Sequence, residues 1–150
     1  MIPDFVAGSG NLPPGIHEAT WAELTARYGS TPRRLGLLAG LKAALDALRA
    51  AGCTRAHVDG SFVSRKAEPG DFDACWETDG VDLDALDPVL LTFADRRRAQ
   101  KQRYGGELFP ADFDADGPRS TGTTFLRFFQ RDRDTGDAKG VIALNLEELP

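Results

Sequence analysis

Leucines at 38, 41, 45 and 48 recur at intervals of three and four residues, which lines them up along one stripe of a helix. Thr31 is placed to cap that helix, Pro32 suits its first turn, and Gly52 follows its end in the C′ position. A shorter helix is expected just before it. Thr20-Trp21-Ala22-Glu23 is a capping box, in which a hydroxyl and a carboxylate each satisfy an amide at the helix start, and Gly29 stops the helix. The period then changes to two. In residues 54–60, TRAHVDG, Ala56 and Val58 alternate with Arg55, His57 and Asp59, as in a strand with one buried face and His57 on its surface side. In DFDACWE, Phe72, Ala74 and Trp76 share one face, Asp71 and Asp73 share the other, and Cys75 reads as a small buried filler. Asp87-Pro88 opens a helix expected to run to Tyr104 and stop at Gly105-Gly106, and ELFPADF reads as a third strand interrupted by Pro110. Phe125, Phe128 and Phe129 predict a short helix whose aromatic side packs on the core rather than serving as a base-stacking platform, and VIALNL is strand-like. Residues 1–19, with Gly8, Gly10, Pro13, Pro14 and Gly15, read as an irregular arm.

These elements predict one α+β domain over residues 1–150, a small mixed β-sheet with helices packed on it. A chain of 150 residues, 41% hydrophobic and 27% charged, is long and apolar enough to bury a core, which excludes disordered and fibrous classes. Cys53 and Cys75 form no CxxC pair, no basic segment leads into an apolar run, and no apolar stretch is long enough to span a membrane. A cytoplasmic setting with reduced thiols is expected. The formal net charge of -5 argues against a broad nucleic-acid surface. The basic run Arg96, Arg97, Arg98, Lys101 and Arg103 reads as a solvated face or a partner contact.

The chemistry concentrates in DGSFVSRKAEPGDFDACW, residues 59–76. Two carboxylates on one strand face repel each other unless a cation or hydrogen-bond donors lie between them. A divalent metal answers that need, because Mg²⁺ takes oxygen ligands and is commonly held by one or two carboxylates plus substrate phosphates. Gly60-Ser61 suits such a phosphate: the glycine lets it approach the backbone, and the hydroxyl and following amides donate to its oxygens.

With a Gly-Ser, a loop of roughly ten residues and an Asp-x-Asp between apolar residues, here Gly60-Ser61, FVSRKAEPG and Asp71-Phe72-Asp73-Ala74, the chain resembles the minimal members of the DNA polymerase β-like nucleotidyltransferase superfamily. It departs from the pattern in having Ser64-Arg65-Lys66 where many small members carry a second glycine, and Gly70 where a Ser is usual. The resemblance implies that Gly60 and Ser61 hold the terminal phosphates of an NTP, that Arg65 or Lys66 neutralises their charge, and that Asp71 and Asp73 bind Mg²⁺ or Mn²⁺. It also implies a third carboxylate on the strand after the next helix. Asp112, between Ala111 and Phe113, is the expected residue, and Glu107 its rival. The activity so implied is transfer of a nucleoside monophosphate from an NTP to an acceptor hydroxyl on a partner protein or an RNA. The alternative is an antitoxin-like binding module of a toxin-antitoxin system, which holds a partner toxin with little or no catalysis. A protein that keeps the fold without metal is a third class, expected if neither Asp112 nor Glu107 reaches the pair.

Overall fold

The computed structural model describes residues 1–115 and 122–150. Among these the chain forms five strands, β1 (Gly15–Ala19), β2 (Arg55–Asp59), β3 (Phe72–Trp76), β4 (Gly106–Pro110) and β5 (Gly140–Asn145). Four helices accompany them, α1 (Trp21–Tyr28), α2 (Pro32–Ala50), α3 (Ala94–Tyr104) and α4 (Phe125–Phe129). The strands make one mixed sheet in the order β1-β5-β2-β3-β4, with β1 parallel to β5, β4 parallel to β3, and β2 antiparallel to both its neighbours. The α+β class with a small mixed sheet is the class expected.

Both predicted capping signals operate. Thr20 Oγ1 accepts from the Glu23 amide at 3.1 Å while Glu23 Oε2 accepts from the Thr20 amide at 2.9 Å, and Thr31 Oγ1 accepts from the Arg34 amide at 3.1 Å. The leucine stripe of α2 is buried against Ala56, Val58, Phe72, Ala74 and Trp76, the apolar face of β2 and β3, together with Leu108, Ile142 and Leu144. Full burial of each leucine stabilises the fold by about 2 kcal/mol.

Three expectations change. Residues 1–19 are not irregular throughout, because Gly15–Ala19 pairs along β5 from Gly15↔Gly140 to Ala19↔Leu144. Its sequence, GIHEA, lacks an apolar period because it is an edge strand whose residues are largely exposed. The single helix expected from Asp87 to Tyr104 is split into a 3₁₀ turn, Pro88–Leu91, and α3. At the start of α3, Asp95, Arg96 and Arg97 have φ of 52°, 54° and 60°, a left-handed turn that costs L-residues roughly 1–2 kcal/mol each. Finally, the sheet has no free face at β2, where His57 is 1% exposed and sits opposite Cys75 rather than at the surface.

Candidate functional site

β2 ends at Asp59 and the chain turns at once. Gly60 has φ +76°, a conformation that residues with a Cβ rarely adopt, and it begins a 3₁₀ turn, Gly60–Val63. A Cβ at this position would sit 2.2 Å from Asp73 Oδ2. The Asp73 carboxylate therefore lies directly against the Gly60 backbone, so the glycine turn and the acidic strand form one site.

The long loop between them is held from α2. Arg34, 3% exposed, donates to the carbonyl of Phe62 at 2.6 Å and to those of Ser64 and Lys66, and its guanidinium lies over the rings of Tyr28 and Phe62. Arg33 donates to the carbonyls of Pro69 at 3.1 Å and Gly70 at 2.6 Å. The two arginines thus fasten both ends of the loop. Their role was not legible in the sequence, because it depends on a loop about 30 residues farther along the chain.

Strand register collects the acids. Asp59 pairs with Asp73 across β2 and β3, and Asp73 pairs with Glu107 across β3 and β4. Residues paired in this way share a sheet face on strands about 4.8 Å apart. Asp71, just before β3, falls on the same face by parity. Burial pushes the Asp73 carboxyl up to about 7, with the charges of Asp71 and Glu107 adding to the effect. Asp71 is raised for the same reasons, burial first and Glu107 second. Burial would raise Glu107 as well, yet hydrogen bonds from Lys101 and Arg97 hold it below the usual carboxylate range. These two cations reach Glu107 Oε1 at 2.9 and 3.0 Å. Asp59 is fully buried, its Oδ2 accepts from Cys75 Sγ at 3.5 Å, and its Oδ1 has no hydrogen-bond partner among the described residues. Burial and the facing charge of Asp73 raise its pKa well above the carboxylate norm.

Asp112 is elsewhere. It lies past the end of β4 and accepts from Thr78 Oγ1 at 2.7 and 2.8 Å, exposed to solvent. Three residues of strand, roughly 10 Å, separate the Asp73 register from the end of β4, and Asp112 lies two residues farther on. The acid that the sheet brings beside Asp73 is therefore the rival, Glu107, and not Asp112 as expected. Pro110 ends the strand at its pairing with Trp76, so the apolar-acid-apolar pattern around Asp112 falls outside the sheet. Arg65 also leaves the site: its backbone amide donates to the carbonyl of Gly10, and its side chain packs on Gly10. Lys66 stays.

Gly60, Ser61, Ser64, Lys66, Asp71 and Asp73 line one cavity of about 880 Å³. Most of its other lining comes from α4 and the segment after it, which supply the cations Arg127, Arg131, Arg133 and Lys139, the acids Asp132 and Asp134, and Phe128. Among the described residues, none of the five cations in this lining forms an ion pair. Five cations against four carboxylates, Asp71, Asp73, Asp132 and Asp134, suit a ligand that is itself anionic and brings a counter-cation to Asp71 and Asp73. The sequence hinted at this wall only through the alternation Arg131-Asp132-Arg133-Asp134, which carries no sign of which site it would join. Among the described residues no three His, Cys, Asp or Glu side chains are grouped to hold a metal ion by themselves. Asp71 and Asp73 fit a divalent cation as oxygen donors whose coordination substrate phosphates complete, which is the usual manner for Mg²⁺.

The profile of a family of unknown function, DUF6932, matches residues 3–145. The chain belongs to that family. No curated protein and no solved structure matches it. The DUF6932 match spans all five strands, the glycine turn, the acidic row and the basic segment. Among the described residues of this DUF6932 chain, no helix is long and apolar enough to cross a membrane.

Because Gly60 needs a positive φ and a Cβ there would collide with Asp73 Oδ2, Gly60→Val is expected to displace that carboxylate and to weaken binding of an anionic ligand in the cavity at least tenfold. Ser61→Ala, which removes one hydroxyl, should weaken it by a few-fold. Calorimetric titration with an NTP and Mg²⁺, alongside circular dichroism to confirm the fold, measures both. Unchanged affinity in a folded Gly60→Val protein would make the turn purely structural.

Proposed function

We propose that the chain is a metal-dependent nucleotidyltransferase, moving a nucleoside monophosphate from an NTP to an acceptor hydroxyl on a protein or RNA. The observation that carries this reading is the apposition of Asp73 to the Gly60 backbone, in a cavity lined by five cations that form no ion pair among the described residues. The open cavity favours an enzyme over the antitoxin-like module, whose pocket has no substrate to admit. NTP as substrate and two unpaired buried cysteines, Cys53 and Cys75, both suit a cytoplasmic setting.

In this reading Asp71 and Asp73 hold Mg²⁺ or Mn²⁺ together with the triphosphate, and Glu107 is the third acid. A bound divalent cation supplies charge neutralisation for the leaving pyrophosphate and a lowered pKa for the acceptor hydroxyl. Gly60 admits the phosphates to the backbone, Ser61 donates to them, and Lys66, Arg127, Arg131 and Lys139 offset their charge. The acceptor oxygen forms a bond to the α-phosphorus, the bond from that phosphorus to the bridging oxygen breaks, and pyrophosphate departs. Arg97 and Lys101 both hold Glu107 through Oε1 and so keep its carboxylate ionised beside Asp73, in position to accept the hydroxyl proton.

The test is incubation of the protein with α-labelled NTPs, Mg²⁺ or Mn²⁺ and cell extract. A labelled macromolecule is expected with the native chain and none with an Asp71→Asn, Asp73→Asn double variant. Equal labelling by the two would remove the acids from the reaction. No labelling by either, with no NTP binding in calorimetry, would remove the reaction.

A further inference from the structure

The short helix α4 presents three phenylalanines that the fold treats differently. Phe125 stacks on Phe109 with ring centroids 4.4 Å apart, and Phe129 packs on the same ring at 5.7 Å. Phe93 stacks on Phe109 as well, at 6.1 Å, which completes an aromatic cluster over the outer strand β4. Phe128 touches it only at the rim, edge to face on Phe129 at 5.4 Å and 80°. It stacks on no described ring, remains 46% exposed and lines the cavity that holds Asp71 and Asp73.

A single exposed phenylalanine is ordinary on a protein surface. This one is flanked by Arg127 and followed by Arg131, both lining the same cavity, so an apolar ring surface stands among groups suited to phosphate. The only apolar, planar part of a nucleoside triphosphate is its base. At about 880 Å³ the cavity is within the range of sites that enclose a whole small ligand, so it has room for base and ribose as well as the phosphates. We infer that Phe128 is the platform on which the base of the bound NTP stacks. Stacking is sequence-tolerant and grows with ring area, so purines bind ahead of pyrimidines. This inference rests on the nucleotidyl-transfer reading of the cavity.

The experiment titrates the protein with ATP, CTP and inorganic tripolyphosphate in Mg²⁺. The native chain is expected to bind ATP most tightly, CTP less so, and tripolyphosphate least. Phe128→Ala should weaken ATP about tenfold, consistent with the loss of one base–aromatic stack, while leaving tripolyphosphate within twofold. Phe128→Trp should retain ATP affinity. Phe128→Leu keeps apolar bulk without a ring and should lose as much as Phe128→Ala, which covers any failure of the alanine variant to fold. ATP affinity unchanged in Phe128→Ala or Phe128→Leu, or ATP and tripolyphosphate losing equally, would overturn the platform and leave the transfer reading standing. A native chain that binds none of the three ligands would overturn both.

Discussion

Glu107→Ala is expected to lower the proposed nucleotidyl transfer by about 10³-fold or more, whereas Asp112→Ala leaves it within twofold. The first loss is of the size found when a general base or a metal-side acid is removed. Glu107 pairs in register with Asp73 and is 14% exposed, while Asp112 is bonded to Thr78 beyond the end of β4. NTP binding should persist in Glu107→Ala, because Asp71 and Asp73 remain to share a cation with the triphosphate. Single-turnover transfer and calorimetric NTP affinity, measured on the same preparations, separate the two effects. A large loss in Asp112→Ala with little in Glu107→Ala would reverse the assignment. Removal of Glu107 also leaves Arg97 and Lys101 without their carboxylate, so Glu107→Gln, which keeps the shape and a carbonyl acceptor, controls for that disturbance.

The second large effect is on stability without ligand. The Asp73 carboxyl titrates at about 7 in the folded protein, against 3.8 for the ordinary side chain. The folded state then binds more protons than the unfolded state between those values, so this group's contribution falls as pH rises through that window. Its sign is opposite to that of a salt-bridged aspartate. Between pH 5 and pH 8 the loss from Asp73 is roughly 3 kcal/mol, and Asp59, also raised by burial, acts in the same direction. Urea denaturation of the native chain and of Asp73→Asn over that range isolates the term as the difference between them. Asp73→Asn is expected to be the more stable of the two at pH 8 and to show the shallower pH dependence. Mn²⁺ with NTP should restore the native chain at pH 8 and not the variant, since binding to the folded state stabilises it by mass action. Parallel pH profiles for the two proteins would show that Asp73 is not a strained acid.

That strain has a functional sense. The glycine at position 60 brings backbone against Asp73, the register places Asp59 and Glu107 on either side, and burial removes the water that would screen them. Like charges held this close are unfavourable in the free protein, which favours the cation binding proposed for Asp71 and Asp73.

The features readable from sequence alone share one property: their cause lies within a few residues. The leucine period that makes α2, the capping box at Thr20, the Thr31 cap and the strand signals of β2 and β3 are local patterns, and the elements they predict all reappear in the structure. The same holds for the Gly60-Ser61 turn and for Asp71 and Asp73 on one face, since a strand's period of two fixes side without reference to its neighbours. What needed the tertiary structure was every relation between segments distant in the chain. Parity alone left Asp112 and Glu107 as rivals; the parallel register of β3 and β4, set by where α3 returns the chain to the sheet, put Glu107 beside Asp73. β1 lacked a pattern of its own and became a strand only through pairing with β5. His57 and Asp59 looked like surface positions and were buried because the sheet is covered there on both faces, which alternation cannot reveal. The basic lining from α4 onward joins Lys66 only after the chain has folded back across the acidic face. Periodicity and capping are short-range consequences of backbone geometry, whereas register, burial of the second face and the meeting of charges depend on which packing of the whole chain has the lowest free energy.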